Sequence, residues 1–168
     1  MQHVLRVTTL TVIALAPFAG SLTCQRAAVA DSLYVVATYD PWRNPFADLD
    51  TAVQRAEAEG KRILLEIGGD WCIDCVRLDA FIAQNATVAA KLREAFLIVK
   101  VNYSPENQNR RFLSQYPEIS WFPHIFVLES NGALLHSQDT RELTKQRSYS
   151  EDNILRFVER WARQRDGG

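Results

Sequence analysis

The sequence lacks an excess of charge of either sign. Its 19 Lys and Arg residues nearly match its 20 Asp and Glu residues, and the formal net charge is −1. This balance gives no reason to expect nucleic acid or an acidic membrane surface as a partner. Internal repeats and low-complexity tracts are also absent. With 168 residues, of which 47% are hydrophobic, the chain is typical of one globular domain with a short tail.

Acidic residues are missing from the first 30 positions, which carry Arg6 and Arg26. The apolar run between these arginines is too short to span a bilayer comfortably. A basic start, a short apolar core and the small residues at 28–30 predict a signal peptide over residues 1–30. The alternatives are an uncleaved membrane anchor and a lipid attached to Cys24. We therefore expect an exported, periplasmic protein.

Cysteine is scarce, and without Cys24 only Cys72 and Cys75 remain. An exported compartment permits disulfides. A structural disulfide gains most from closing a long loop, so this closely spaced pair is better placed for redox chemistry. Zinc takes four protein ligands, or three and water. The mature chain adds only His124 and His136, which is a poor ligand set for such a site. A zinc or copper carrier is kept as an alternative to redox chemistry.

Helices and strands alternate after a lead-in segment at residues 31–46. This alternation predicts an α/β fold with a parallel sheet core, to which a hairpin adds antiparallel strands. Ligands of such sheets bind beyond the carboxyl ends of the strands, where Cys72 lies. The first predicted elements are a helix at 48–59 capped by Asp48, a strand in RILLEIGG and a helix after the cysteines. They are followed by a helix from Thr87 to about Phe96, a strand in FLIVKVN and a helix opening at Ser104–Glu106. The last are a hairpin of HIFVLES and ALLHSQ around Asn131 and Gly132, a polar loop in TRELTKQRSYS and a helix through Trp161.

The position of Cys72 suits a reactive thiolate. It stands where a helix begins, and the free N–H groups and dipole of a helix start favour negative charge. The thiolate is the form that attacks a disulfide. Cys75, one turn further in, is expected to be the more buried partner that resolves the mixed disulfide.

Two segments of the chain, LLEIGGDWCIDC and SWFPHIFVLESNG, together resemble the landmarks of the thioredoxin superfamily. The resemblance covers about residues 45–163, and it is closest to exported bacterial thioredoxin-like and disulfide-isomerase-like proteins. It implies a thioredoxin fold at 47–165, with a central mixed β-sheet flanked by helices. The implied function is a thiol–disulfide oxidoreductase that reduces or isomerises disulfides of exported proteins. A redox-inactive thioredoxin-like binding module is the other alternative.

The resemblance also implies the partners and the site residues. Protein or peptide disulfides would be the substrates, a membrane-bound or soluble electron donor would serve the pair, and no cofactor is expected. Cys72 would attack and Cys75 would resolve. Glu66 matches the family's buried carboxylate. Pro123 matches a proline after a cis peptide bond that faces the cysteines, and Phe122 would offer its backbone to a substrate strand.

Glu66 is an acid in an otherwise apolar strand, where a carboxylate is costly unless it has a function or a partner. Burial raises the pKa of such a group, so Glu66 is predicted to exchange a proton with Cys75. The structural alternative is an ion pair with Lys100 on a neighbouring strand.

The motif departs from ordinary thioredoxin between the cysteines, where Ile73 and Asp74 replace Gly-Pro. Asp70 and Asp74 flank Cys72, and their negative charges oppose its thiolate. We therefore predict a reductase or isomerase rather than a strong oxidant. Trp71, next to the reactive sulfur, is predicted to cover it as a lid.

Overall fold

The computed structural model describes residues 32–162. The predicted signal peptide, with Cys24, lies outside the described residues. Within residues 32–162, no helix is long and apolar enough to cross a bilayer. The elements are β1 (Tyr34–Val36), α1 (Pro45–Glu59), β2 (Arg62–Gly68), α2 (Ile73–Gln84), α3 (Ala86–Ala95), β3 (Phe96–Asn102), α4 (Arg110–Leu113), β4 (His124–Leu128), β5 (Leu134–Asp139), a 3-10 turn (Thr140–Leu143), β6 (Thr144–Lys145), β7 (Ser148–Tyr149) and α5 (Glu151–Trp161).

The predicted mixed sheet flanked by helices is confirmed. Five strands form it in the order β1-β3-β2-β4-β5. The β1–β3 and β2–β3 pairs are parallel, whereas the β2–β4 and β4–β5 pairs are antiparallel. Strands β6 and β7 form a separate two-stranded ribbon. The sheet therefore has a parallel half, which carries β1, and an antiparallel half, which ends in the predicted hairpin.

Strand β2 lies in the middle of the sheet and is covered on both faces. Because side chains alternate along a strand, Leu64 enters one apolar cluster, whereas Ile63 and Leu65 enter the other. Helices α2, α3 and α5 contribute to the first cluster, and α1 and α4 contribute to the second. The near-continuous apolar sequence of β2 follows from this two-sided burial.

Two helices start at other caps than the sequence predicted. Asn44, not Asp48, caps α1: its side chain accepts a hydrogen bond from Phe46 N at 3.1 Å, and Pro45 occupies the first turn. Asp48 instead pairs with Arg43. Asn85, rather than the predicted threonine, caps α3. An asparagine side chain accepts hydrogen bonds from the free N–H groups of a first turn as well as aspartate or threonine does. Residue type alone therefore does not tell which of several neighbouring polar residues caps the helix.

The predicted helix opening at Ser104–Glu106 is wrong, and a four-residue helix, Arg110–Leu113, follows instead. Local side-chain hydrogen bonds hold the intervening residues in a loop. Asn107 Oδ1 accepts from Asn109 N at 2.9 Å, and Asn109 Nδ2 donates to the carbonyl of Asn102 at 2.7 Å. Such bonds offer the backbone an alternative to a helix.

The lead-in segment and the predicted polar loop are both structured. Tyr34–Val36 pairs with β3 as an edge strand. The loop TRELTKQRSYS contains the 3-10 turn and the β6–β7 ribbon. Gln146 and Arg147 form the tip of this ribbon with positive φ angles of 52° and 67°, as tight hairpin turns require.

Candidate active site

The two motif cysteines form a disulfide at the start of α2. Cys72 is the N-cap residue of α2, and its Sγ accepts a hydrogen bond from Cys75 N at 3.2 Å. Cys72 is 5% exposed and Cys75 is 0% exposed. The same N–H donor and the helix start would stabilise a thiolate at Cys72.

The predicted cis bond between Phe122 and Pro123 is confirmed. Phe122 packs against the cluster that holds both cysteines. Trp71 meets the ring of Phe122 edge-on, with ring centres 5.6 Å apart, and its Nε1 donates to the carbonyl of Tyr103 at 2.6 Å. The structure therefore brings the Trp71 ring and the proline loop together beside the disulfide.

Glu66 lies in β2, the strand that ends before the cysteine motif, and is 1% exposed. Its Oε1 accepts a hydrogen bond from the Tyr39 hydroxyl at 2.5 Å. Lys100 is its register partner on β3, but the Lys100 ammonium forms its ion pair with Asp79 of α2. The alternative of an ion pair between Glu66 and Lys100 is thus not what the structure shows.

Burial raises the pKa of Glu66 to about 7. Loss of solvation is the largest cause, since a charged carboxylate is poorly stabilised away from water. The positive charge of Lys100 opposes this increase, the negative charge of Asp79 adds to it, and the hydrogen bond from Tyr39 opposes it. The carboxyl therefore changes its charge near neutral pH, as a group that exchanges protons must.

Tyr39 and Asp79 are the members of this network that sequence reasoning missed. Tyr39 shares a buried cluster with Cys72 and Cys75. A Cβ added to Gly68 would lie 2.5 Å from Cys75 Sγ and 2.9 Å from the Tyr39 hydroxyl. Glycine at this position leaves room for the sulfur and the hydroxyl to approach one another.

A sequence signal existed for Asp79 alone. It follows Cys75 by four residues, and residues four apart share one face of a helix. Tyr39 lies in the lead-in segment, and no spacing relates it to the cysteines.

The charges that flank Cys72 are partly compensated in the structure. Arg77 Nη1 pairs with Asp74 Oδ1 at 2.8 Å. The positive charge of Arg77 partly offsets the negative charge of Asp74, which is one of the two carboxylates expected to oppose the Cys72 thiolate. The pair is exposed, so solvent also screens it.

No group of three or more His, Cys, Asp and Glu side chains is placed to hold a metal ion within the described part of the chain. His124 and His136, the histidines considered for a metal, lie on β4 and β5, where His124 pairs with Asp139 and His136 pairs with Val127, three register positions apart. A metal bound at the thiol pair would need further ligands from elsewhere.

Comparison with known proteins places the chain among thioredoxin-like domains. The family model described as Thioredoxin-like matches residues 42–130. The thiol:disulfide interchange protein DsbD of Pseudomonas fluorescens is 24% identical over 139 residues, which are 82% of this chain and 22% of that protein. DsbD 1 of Pseudomonas aeruginosa is 29% identical over 98 residues, which are 57% of this chain and 16% of that protein. The chain thus spans less than a quarter of the length of either relative.

Solved structures agree with this placement. A disulphide isomerase from Xylella fastidiosa is 25% identical with a TM-score of 0.62, covering 73% of this chain and 94% of that one. The oxidised C-terminal domain of Neisseria meningitidis DsbD shares the fold, with 18% identity, a TM-score of 0.53 and coverage of 74% and 99%. The family model, the fold and the bonded cysteine pair together show a thioredoxin-like domain with a cysteine pair that forms a disulfide.

The raised pKa of Glu66 predicts a specific dependence of stability on pH. Its folded-state pKa of about 7 exceeds the ordinary value of 4.5, so the folded protein keeps a proton that the unfolded chain releases in this window. The free energy of unfolding therefore falls as pH rises from 4.5 to about 7. Relative to Glu66→Gln, we expect the oxidised wild type to lose on the order of 3 kcal/mol across this range.

Urea unfolding of both oxidised proteins between pH 4.5 and pH 8 measures this difference. Other titrating groups, including His124, are common to both proteins and cancel in the comparison. Parallel stability curves would show that Glu66 has an ordinary pKa.

Proposed function

Since this chain belongs to the thioredoxin-like family, we propose that it reduces or isomerises disulfides of exported proteins through Cys72 and Cys75. The observation that carries the proposal is the disulfide at a helix start, beside a buried carboxyl that titrates near neutral pH. The names of the relatives, a thiol:disulfide interchange protein and a disulphide isomerase, support the same chemistry.

In the proposed reduction, the Cys72 thiolate attacks one sulfur of the substrate disulfide. A mixed disulfide forms, and the other substrate sulfur leaves as a thiolate. Cys75 then loses its proton and attacks Cys72 Sγ, which closes the Cys72–Cys75 disulfide and releases the second substrate thiolate. In isomerisation, a substrate thiolate would attack the mixed disulfide in place of Cys75, and the protein would remain reduced.

Glu66 is the proposed acceptor of the Cys75 proton. Its pKa of about 7 is matched to operation near neutral pH. The Tyr39 hydroxyl donates to Glu66 and shares a cluster with Cys75, so it lies between the two groups. Gly68 leaves the space in which hydroxyl and sulfur approach.

Trp71, Phe122 and Pro123 form the proposed contact surface for the substrate. Trp71 is 55% exposed, and its ring contacts the Phe122 ring edge-on next to the disulfide. A peptide that adds as a short strand would use the backbone groups of Phe122. Trp71 would cover the mixed disulfide and exclude water from it.

The proposed setting is the periplasm, reached by way of the signal peptide predicted at residues 1–30. Such a compartment holds proteins with disulfides to be reduced or rearranged. A protein that reduces them is oxidised at each turnover. It therefore needs an electron donor, either membrane-bound or soluble, which regenerates the two thiols.

Trapping of intermediates tests the roles of the two cysteines. Cys75→Ser should accumulate a mixed disulfide through Cys72, because the resolving thiol is missing. Cys72→Ser should accumulate none, because the attacking thiol is missing. Non-reducing electrophoresis and mass spectrometry after incubation with a disulfide-bonded protein read the result. Faster alkylation of Cys75 than of Cys72 in the reduced wild type would contradict the assignment, and a failure of both thiols to react would favour a redox-inactive binding module.

Replacement of the buried acid tests the proton transfer. Glu66→Gln should slow closure of the Cys72–Cys75 disulfide by about 10²-fold at pH 7.5, the lower end of the contribution of a general base. The wild-type rate should also fall below pH 7, where Glu66 is protonated. Stopped-flow measurements from pH 6 to 9 give both results. Glu118→Gln, an exposed acid, is the matched control, and equal pH profiles for all three proteins would leave Glu66 without a role in proton transfer.

The reduction potential of the pair tests the direction. We expect a value nearer to the roughly −270 mV of thioredoxin than to the roughly −120 mV of the strong bacterial oxidant. Asp70→Asn combined with Asp74→Asn should raise the potential, because the reduced form with a Cys72 thiolate loses the repulsion of Asp70, and Arg77 is released from its pair with Asp74. Equilibration with glutathione buffers measures both. A wild-type potential above about −150 mV would instead indicate an oxidant.

A further inference from the structure

The segment at residues 140–149 and helix α2 enclose an open groove of about 770 Å³. This groove begins next to the reactive disulfide. Asp74, in the first turn of α2, lines one end. Trp121, which directly precedes the Phe122–Pro123 bond, lines the groove as well, and the Thr140 hydroxyl donates to the carbonyl of Pro123 at 2.5 Å. A chain bound at the proline loop could therefore continue directly into the groove.

The dimensions of the groove suit an extended peptide. Its α2 wall runs from Asp74 to Gln84, a distance of about 15 Å at the helical rise of 1.5 Å per residue. That length accommodates four to five residues of extended chain at about 3.3 Å each. Phe81 and Tyr149 lie against each other in the lining, with ring centres 6.2 Å apart, and the Tyr149 hydroxyl donates to the carbonyl of Asp74. The groove thus has an apolar part in a fixed position.

Three cations and one acid, Asp74, line the groove. The cations are Arg77, Arg141 and Arg147. Two of them are neutralised in place, since Arg77 pairs with Asp74, and Arg141 pairs with an aspartate at the end of β5. The Arg141 guanidinium also lies 5.0 Å from the centre of the Trp121 ring. These contacts hold two cations in position along the wall.

The β6–β7 ribbon carries two cations that are not neutralised. Arg147, at the tip, lines the groove, and Lys145 of β6 lies beside it without being part of the lining. Both are exposed, and neither has a salt bridge within residues 32–162. Glu142 is the one acid within residues 140–149. It accepts a hydrogen bond from Gln138 and lines a different pocket. The unpaired Arg147 in the lining and Lys145 beside it would attract a negatively charged occupant.

We propose that this groove binds an acidic segment of the substrate protein, adjacent to the cysteine whose disulfide reacts with Cys72. The proposal rests on the proposed function and adds the class of substrate. The aromatic lining accepts apolar side chains, and Arg147 in the lining, with Lys145 beside the groove, attracts carboxylates of the same segment. Complementary charges of this kind act chiefly on the rate of association and on the choice of partner.

Synthetic peptides of matched length test the proposal. Each contains one disulfide ring and a four-residue tail that is acidic, neutral or basic. The reduced protein should react with the acidic peptide about tenfold faster than with the neutral one, and the difference should shrink in 0.5 M salt because exposed charges are screened. Lys145→Glu combined with Arg147→Glu should abolish or reverse the preference. Stopped-flow rates, each divided by the rate with neutral hydroxyethyl disulfide, give the comparison.

Arg110→Glu is the matched control, because this exposed arginine belongs to α4, whose Phe112 packs in the cluster on the opposite face of the sheet. It should keep the preference for the acidic peptide. Equal rates with all three peptides would overturn the proposal, as would a preference that survives in the double variant. In either case continued reaction with hydroxyethyl disulfide would leave the proposed redox function standing, whereas a protein inert to every disulfide would contradict that function itself.

Discussion

The buried carboxyl of Glu66 is the constraint on which the rest of the site depends. A lone carboxylate inside an apolar sheet carries a large desolvation cost. The structure limits this cost in two ways: the pKa is raised to about 7, so that the group can be neutral, and the Tyr39 hydroxyl donates to it. Lys100, its neighbour in register, has its own partner in Asp79. The carboxyl therefore stays free to change its protonation state instead of being fixed as half of an ion pair.

The order of the strands then determines what surrounds this carboxyl. Strand β2 ends directly before the cysteine motif, and β4 runs antiparallel to it, so that His124 lies opposite Ile67. The start of β4 is thus at the same edge of the sheet as the end of β2. This pairing brings the Phe122–Pro123 segment to the disulfide from 50 residues further along the chain. The cysteine motif and the Phe122–Pro123 segment are each recognisable in the local sequence. The antiparallel pairing of β2 and β4 places them next to one another.

The sequence predicted the parts of the site that local patterns encode. The apolar strand with its single acid, the closely spaced cysteines and the Asn-Gly hairpin have signals within a few residues, and the structure places these elements as expected. The contacts of Tyr39 with Glu66 and of Asp79 with Lys100 were not found, because they join distant parts of the chain. The Arg77–Asp74 pair joins residues three apart on α2, so its spacing was visible in the sequence. Helix starts were misplaced for a different reason: several neighbouring polar residues can cap a helix, and composition does not decide between them.

The site thus has a buried side and an exposed side that are built from different elements. Glu66 and its hydrogen-bond donor lie beneath the cysteines and depend on β1, β2 and the adjoining chain. The cations of the groove lie on α2 and on the segment after β5, and its aromatic rings lie on these elements and at Trp121, before β4. Cys72 is 5% exposed and stands between these two sides. Lys145 and Arg147 of the ribbon are exposed, whereas Tyr149 of β7 packs in the core cluster that contains Leu64 of β2. Under the proposed function, the buried side would set the proton chemistry and the groove would set which disulfides react.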